Sequence, residues 1–244
     1  MGIVAAARTD IGRRRKANED EVLALPGLGP RASWVLLAVA DGIGGAQGGS
    51  KASQEAMRVL RVRLANWNGE NPAGALREAF ARANDHLLDI GRRQAIYKGM
   101  GTTLVAALID GREAWVANVG DSRAYHITID SVRQVTEDHS LVADQVRAGY
   151  IDERAAASSP RRNVITRSLG GSRSMTVDVF GPLELQAGES LLLCSDGLHG
   201  VVSDSEIAGV STTLEPDAAV RRLISMANDR GGPDNISVVL ARAA

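Results

Sequence analysis

Five aspartates lie close to glycine or asparagine at turn-like positions: Asp20, Asp41, Asp121, Asp196 and Asp234. Asp41 follows the most apolar run of the chain, seven residues from Trp34 to Ala40, and three of the next four residues are glycine. A short apolar run that stops at a turn is typical of a buried strand. A carboxylate at the end of such a strand is unfavourable unless it is paired or binds a metal ion.

The chemistry that suits such a set of acids is the binding of hard divalent cations. No cluster of histidine or cysteine accompanies the aspartates, and Mg²⁺ and Mn²⁺ prefer oxygen ligands. Two such ions close together can share a hydroxide and assist an in-line displacement at phosphorus. A single Asp-Gly is more often an ordinary turn, but several acids that close apolar strands favour a shared metal site.

The composition limits the classes of protein to which the chain can belong. Its 244 residues fit one large domain, 1–244, and 44% of them are hydrophobic, enough for a substantial core. The net charge of −1 gives no general attraction to nucleic acid or anionic lipid. The longest apolar run is too short to span a membrane, and a lone cysteine, Cys194, fits a reducing compartment. We therefore expect a cytoplasmic monomer with no nucleic-acid or membrane partner.

The elements that must position the acids can be predicted from periodicity and turn signals. Strands are expected at 3–7, 22–25, 34–40, 102–109, 114–119, 123–129, 132–135, 175–181, 190–194 and 236–240. Helices are expected at 50–64, from Asn71-Pro72 through an apolar stripe to Ile90, at 140–157, and from Pro216 onward; 26–30 and 158–174 are predicted loops. The strands from 102 to 135 follow one another directly, as in an antiparallel meander. Helices segregated against antiparallel strands indicate an α+β fold with more than one sheet.

Eight motifs that contain these acids occur in one order along the chain. They are Arg15-x-x-Asn18-Glu19-Asp20, Val39-Ala-Asp41-Gly42-x-Gly44-Gly45, Gly101-Thr102-Thr103, Asn118-Val-Gly120-Asp121-Ser122-Arg123, Thr136-x-Asp138-His139-Ser140, Asn163-Val-Ile-Thr-Arg167-Ser-Leu-Gly170, Ser195-Asp196-Gly197 and Asp234-Asn235. Together they resemble the metal-dependent protein serine/threonine phosphatases of type 2C, the PPM family, and most of all its compact bacterial members. The resemblance extends from about residue 8 to about residue 240.

The resemblance implies both a fold and an activity. The fold would be a four-layer α-β-β-α sandwich of two antiparallel sheets flanked by helices. The activity would be the hydrolysis of phosphoserine and phosphothreonine esters by a hydroxide that bridges two Mn²⁺ or Mg²⁺ ions, with no phosphoenzyme and with a third, weaker ion in bacterial members. The partners would be phosphorylated proteins, including a serine/threonine kinase and its targets.

The resemblance also assigns a role to each matching residue. Asp41 would bridge both metals, the Gly42 carbonyl would bind one, Asp196 and Asp234 would bind the other, and Asp121 with Asp196 would hold the third. Glu19 and Asp20 would act through metal-bound water, Arg15 would bind the phosphoryl group, and Asn235 would support Asp234. The planar fork of arginine suits a phosphoryl group better than lysine does.

Two stretches depart from the family pattern. Ile43 stands where eukaryotic members have a histidine, and 45–50 differ from the Gly-Gly-His-x-x-Gly-Glu of many bacterial members. The group that protonates the leaving serine is therefore not assigned, and His139 and His199 are the nearest candidates, although a structural role is favoured for each. The segment 144–173 matches the variable flap of the family, which could help to select the phosphopeptide or be a solvated loop.

Two other functions are compatible with parts of the sequence. The stretch 44–51, Gly-Gly-Ala-Gln-Gly-Gly-Ser-Lys, approaches the phosphate-binding loop of nucleotide-binding proteins, but its last two residues are reversed. A catalytically weak or inactive phosphatase-fold binding module is the second alternative. It is disfavoured because every metal-binding position of the family pattern is filled.

Overall fold

Two five-stranded antiparallel sheets form the centre of the computed structural model, which describes residues 2–28 and 33–244. In spatial order, the first sheet contains β1 (Ile3–Asp10), β12 (Ile236–Ala243), β11 (Ser190–Cys194), β8 (Arg123–Ile127) and β9 (Val132–Gln134). The second contains β10 (Asp178–Glu184), β7 (Glu113–Val119), β6 (Leu104–Asp110), β3 (Trp34–Ala40) and β2 (Glu21–Pro26). A short ribbon pairs β4 (Gly42–Ile43) with β5 (Gly101–Thr102).

Helices cover the outer face of each sheet. The second sheet is covered by α1 (Gly45–Ala65) and α2 (Pro72–Arg93), and the first by α5 (Asp196–His199), α6 (Asp204–Thr213) and α7 (Pro216–Asp229). Two short helices, α3 (Leu141–Arg147) and α4 (Glu153–Ser158), lie in the segment between β9 and β10, and a 3₁₀ turn (Ala95–Tyr97) follows α2. The order helix, sheet, sheet, helix confirms the predicted α+β sandwich.

The apolar run of β3 is explained by burial on both faces. Leu36 and Ala38 belong to the core between the second sheet and its helices, whereas Leu37 and Val39 belong to the core between the two sheets. A strand that is buried on both sides has no polar face to alternate with its apolar face. The sequence therefore shows a continuous apolar run that ends where the strand reaches the edge of the sandwich, at Asp41.

The first helix begins earlier than predicted, at Gly45 rather than Ser50. Gly44 adopts a φ of 130°, which favours glycine, and the chain enters the helix directly after it. Gly49 allows the helix to lie against Glu19, since a Cβ there would be only 2.6 Å from Glu19 Oε2. Most of the stretch 44–51 is thus helix, which does not fit a phosphate-binding loop placed before a helix.

The predicted meander is two hairpins, one in each sheet. The turn at Asp110-Gly111 joins β6 to β7 as expected, but β8 pairs with β9 and β11 and not with β7. The chain crosses between the sheets at Gly120, where φ is 115° and a Cβ would lie 2.6 Å from Thr103. The acid at 121 is consequently placed at the edge between the sheets.

Other boundaries differ from the predictions in detail. The strand predicted at 102–109 is interrupted at Thr103, the strand predicted at 175–181 lies at Asp178–Glu184, and the helix predicted at 140–157 is two short helices. The helices α5 and α6 were not predicted. The last two positions of the predicted loop 26–30 lie outside the described residues. None of the helices in the described ranges is long and apolar enough to cross a lipid bilayer.

Candidate metal and phosphate site

The five aspartates are placed at strand ends, and their charges interact. Asp41 follows β3, Asp121 follows β7, Asp196 follows β11, Asp20 precedes β2 and Asp234 precedes β12. The charges of the other four all act on the carboxyl group of Asp41. The structure therefore brings together every aspartate that the sequence singled out.

Asp41 is fixed through its main chain, and its carboxyl group lies within hydrogen-bonding reach of Asp196. Its N–H donates to Thr103 Oγ1 at 3.0 Å. Its carbonyl oxygen accepts the N–H of Thr103 at 2.9 Å and the hydroxyl of Thr102 at 2.8 Å. The Gly-Thr-Thr motif at 101–103 thus positions Asp41, a role that the sequence alone did not reveal.

Three segments of the chain pack closely together at Gly42. A Cβ at this position would lie 2.3 Å from the carbonyl oxygen of Gly49 and 2.7 Å from that of Glu19. Glu19 is held in turn, because its carbonyl oxygen accepts the hydroxyl of Ser53 at 2.6 Å. Glycine is therefore required at 42 by packing, independently of any role of its carbonyl group as a metal ligand.

Asp20 is buried with one oxygen satisfied and one unsatisfied. Ser195 donates its hydroxyl to Asp20 Oδ2 at 2.8 Å, whereas Asp20 Oδ1 is buried without a hydrogen-bond partner. Burial raises the pKa of Asp20 to about 7, and hydrogen bonds from Ser237 and Ser195 oppose that rise only in part. Ser195 was identified within a motif, but its contact with Asp20 required the structure.

Burial and repulsion between the carboxylates destabilise the anionic forms of Asp41, Asp121 and Asp196. Burial, followed by repulsion from Asp20 and Asp196, raises the pKa of Asp41 well above its usual value. Burial and the charge of Asp196 raise the pKa of Asp121 to about 7. Burial and the charge of Asp234 raise that of Asp196 to about 6, which Arg15 partly offsets. A bound cation would relieve both the desolvation and the repulsion.

Arg15 supplies positive charge at this edge. Its Nη2 donates to Asp234 Oδ2 at 2.6 Å, and its side chain remains half-exposed, at 51%. The hydrogen bond to Asp234 raises the pKa of Arg15, so that the guanidinium stays charged. An exposed guanidinium beside an acid cluster is suited to binding an anionic group that approaches from solvent.

Asn235 organises the loop that carries Arg15, which is more than the support for Asp234 that we expected. Its Oδ1 accepts the N–H of Glu19 at 2.9 Å, and its Nδ2 donates to the carbonyl oxygens of Ile11 and Ala17 at 3.0 Å each. Its own N–H donates to Asp234 Oδ1 at 2.8 Å. One side chain thus joins both ends of the chain at the site.

The donor set fits divalent cations by its chemistry. Asp20 Oδ1 and Asp196 Oδ1 are both buried without a hydrogen-bond partner, and buried carboxylate oxygens in native proteins are normally satisfied. Within residues 2–28 and 33–244, however, no group of three or more His, Cys, Asp and Glu side chains is already arranged to hold a metal ion. Two of the acids are instead engaged by protein groups, Asp20 by Ser195 and Asp234 by Arg15.

A groove of about 860 Å³ opens beside the acids. Its lining includes Arg15, Asp121, Asp196 and Asp234 at one part, and side chains of α3 and α4 at another. The segment 144–173, predicted to be a flap, therefore borders the site. A second groove, of about 570 Å³, lies between α1 and α2 and contains none of the five aspartates.

Neither candidate histidine is positioned as a general acid. His139 is 1% exposed; its Nδ1 accepts the N–H of Gly120 at 3.0 Å and its Nε2 lies 2.9 Å from Asp178 Oδ2. His199 Nε2 lies 3.0 Å from the carbonyl oxygen of Asp121, and burial lowers the pKa of His199 to about 3. The favoured structural role for each is consistent with these contacts.

Comparison with known proteins identifies the family. The profile of protein phosphatase 2C matches residues 6–145. The chain is 37% identical over 243 residues to the serine/threonine phosphatase stp of Listeria innocua, with 97% of this chain and 94% of that protein covered.

Solved structures are similar over nearly the whole chain. The serine/threonine phosphatase of S. agalactiae superposes with a TM-score of 0.92 at 34% identity, covering 99% of this chain and 100% of that one. The catalytic domain of the phosphatase PstP, in complex with two manganese ions, has a TM-score of 0.85 at 34% identity, with 98% and 97% covered. Over a fold and a site of this kind, such similarity is decisive: the chain belongs to the protein phosphatase 2C family of metal-dependent protein serine/threonine phosphatases.

Proposed function

We propose that this phosphatase hydrolyses phosphoserine and phosphothreonine esters with two Mn²⁺ or Mg²⁺ ions held by the acid cluster. In this proposal Asp41 would hold both ions, the Gly42 carbonyl would hold one, and Asp196 and Asp234 would hold the other. Glu19 and Asp20 would act through water, and Asp121 with Asp196 would hold a third, weaker ion. The observation that carries the proposal is the pair of buried, unsatisfied oxygens, Asp20 Oδ1 and Asp196 Oδ1, within a group of mutually repelling carboxylates.

The cations and the residues of the chain would contribute differently to the reaction. When bound, divalent cations activate water for attack at phosphorus and neutralise the charge of the phosphoryl oxygens. Arg15 orients the phosphoryl group through its planar guanidinium, which is half-exposed and adjacent to Asp234. Thr103 and Ser195 hold Asp41 and Asp20 in place, so that the carboxylates are fixed before a substrate arrives.

The groove beside the acids supports a peptide substrate. Its volume of about 860 Å³ is larger than a phosphate group requires, and part of its lining is apolar, with Val142, Val146 and Ala156 from α3 and α4. A phosphorylated residue at Arg15 could therefore extend its flanking residues along these helices. We propose that the flap contributes to the choice of phosphopeptide.

We further propose that the substrates include a serine/threonine kinase and its targets, because a phosphatase of this class requires phosphorylated proteins.

Residues 1–244 are proposed to form a single catalytic domain, which is consistent with the core that both sheets share. A cytoplasmic location is proposed on the basis of the buried, unpaired Cys194. An inactive binding module is not favoured, because all five aspartates are present and brought together.

Hydrolysis of a phosphothreonine peptide by purified protein tests the proposal directly. After chelation and dialysis we expect no turnover, and we expect Mn²⁺ or Mg²⁺ to restore it. Release of phosphate that persists after thorough chelation would contradict the metal-dependent mechanism. A folded, Mn²⁺-loaded protein that hydrolyses neither phosphopeptides nor p-nitrophenyl phosphate would favour the inactive binding module.

A further inference from the structure

Two histidines hold the main chain at the crossing between the sheets. His139 Nδ1 accepts the N–H of Gly120, and His199 Nε2 lies 3.0 Å from the carbonyl oxygen of Asp121. A carbonyl oxygen can only accept, so Nε2 of His199 carries the proton and donates it. Both contacts are made to the main chain and not to the carboxylate of Asp121, which lines the groove beside the acids.

His199 differs from His139 because it also belongs to the element that carries Asp196. The helix α5 begins at Asp196 and ends at His199, so the two residues are one turn apart. The contact between His199 and Asp121 therefore ties the position of one acid to that of the other. This helix has little freedom to shift, because Gly197 packs so closely on the carbonyl oxygen of Asn235 that a Cβ would lie 1.8 Å from it.

The surroundings of His199 suit a neutral donor. Burial lowers its pKa, and the positive charge of Arg123 acts in the same direction. Arg123 is itself held by Asp138, with Nε 3.0 Å from Oδ1 and Nη2 2.7 Å from Oδ2. The imidazole thus donates a hydrogen bond at the edge of the acid cluster without adding a charge to it.

We infer that His199 is a positioning residue that sets the spacing of Asp121 and Asp196 and thereby the affinity of the site for its most weakly bound divalent cation. This inference rests on the proposed function, in which those two acids share that cation. Outer contacts of this kind commonly change the metal affinity of a site by about 10-fold to 100-fold. No direct contact between His199 and the substrate is required.

The test is a calorimetric titration of the metal-free protein with Mn²⁺, which reports the number and affinity of bound ions without turnover. In His199→Phe, which keeps a ring but loses the donor, we expect the weakest binding event to weaken by about 10-fold and the tighter events to remain. His199→Gln, whose side-chain amide can donate to the same carbonyl oxygen, should recover part of the loss. The control is His126→Phe, which removes the contact between His126 of β8 and Glu189 and should bind Mn²⁺ as the wild type does.

A double-mutant cycle tests whether His199 acts on metal affinity through Asp121. If His199 acts through Asp121, then Asp121→Asn and the double variant Asp121→Asn/His199→Phe should have the same weak-ion affinity. Equal weak-ion affinity in the wild type and in a cooperatively folding His199→Phe would overturn the inference while leaving the phosphatase activity in place. If His199→Phe does not fold, His199→Gln and Asp121→Asn decide the question by the same titration. A wild-type protein that binds no Mn²⁺ would instead overturn the proposed function.

Discussion

Asn235 and Glu19 are 216 positions apart in the sequence, yet Asn235 Oδ1 accepts the main-chain N–H of Glu19 at 2.9 Å. The same amide donates to Ile11 and Ala17, so it closes the loop that carries Arg15. Asp234, directly before it, pairs with Arg15. The segment directly before the C-terminal strand therefore contributes one acid to the site and also fixes the N-terminal loop around it.

Removal of this amide should lower the stability of the protein. Asn235→Ala leaves the N–H of Glu19 and two carbonyl oxygens without their partner, and we expect the free energy of unfolding to fall by roughly 1–3 kcal/mol. Asn66→Ala is a suitable control, because Asn66 makes an exposed side-chain contact with Val62. Urea denaturation of the metal-free proteins measures the difference. If the free energy of unfolding falls by the same amount in Asn235→Ala and Asn66→Ala, the loop does not depend on Asn235.

Asp41 should be indispensable for turnover and dispensable for the fold. Asn at this position retains the main-chain contacts with Thr103 but loses the charge that the two proposed cations would require. We therefore expect the rate to fall by at least about 100-fold, which corresponds to about 2.7 kcal/mol in the barrier. Asp85→Asn, in an exposed position on α2, should retain the wild-type rate. Phosphopeptide hydrolysis with Mn²⁺ measures the rates. Near-normal activity of a folded Asp41→Asn would exclude Asp41 as a shared ligand.

Two glycines should respond to alanine with opposite signs. At Gly42 a Cβ would meet the carbonyl oxygens of Gly49 and Glu19, which are main-chain atoms that cannot move aside easily, so Gly42→Ala should destabilise the protein and reduce metal binding. At Gly209, inside α6, nothing lies within 4 Å of a Cβ, and alanine should stabilise the helix by about 0.5–1 kcal/mol. Melting temperatures of both variants provide the measurement, and a stabilising Gly42→Ala would refute the packing argument.

Glu55, on α1, should stabilise the protein in a pH-dependent manner. Burial alone would raise its pKa, but hydrogen bonds from His86, Lys51 and Arg58 outweigh that effect and lower the pKa to about 2. Because the folded pKa lies below the unfolded value near 4.5, the stabilisation is present above pH 4.5 and is lost as the pH falls toward 2.

The matched variants are Glu55→Gln and Glu113→Gln, the latter at an exposed position of β7. At pH 7 we expect Glu55→Gln to lower the free energy of unfolding by roughly 1–2 kcal/mol. The difference from wild type should shrink between pH 4.5 and pH 2, whereas Glu113→Gln should show little effect at either pH. A difference that does not depend on pH would mean that the charge of Glu55 is not the cause.

The sequence predicted the fold and the placement of the acids near strand ends, for reasons that can be named. β3 and β11 are buried on both faces, so their apolar runs are unmistakable; Asp41 follows β3 directly and Asp196 follows β11 after one residue. The order of the motifs then indicated the family, which comparison with known proteins confirmed.

The parts that could not be predicted depend on long-range contacts. Periodicity does not show that β7 and β8 lie in different sheets, because the crossing at Gly120 depends on Thr103, which comes from another segment. The early start of α1 likewise depends on a distant contact, because Gly49 in this helix lies close to the side chain of Glu19. The link from Ser195 to Asp20 joins residues 175 positions apart, beyond the reach of any local pattern.

Arg15 should contribute to phosphate binding more than to the fold. Its guanidinium is half-exposed and its hydrogen bond to Asp234 is a surface contact, which usually stabilises a protein by less than about 1 kcal/mol. Arg15→Ala should therefore leave the melting temperature nearly unchanged and raise the KM for a phosphopeptide by about 10-fold, as expected for the loss of a charge-assisted contact. Arg15→Lys keeps the charge without the planar fork and should recover only part of this loss. Arg14→Ala, at an exposed neighbouring position, is the control and should behave as the wild type does. If KM and kcat of Arg15→Ala both match the wild type, Arg15 pairs with Asp234 alone and another group receives the phosphate.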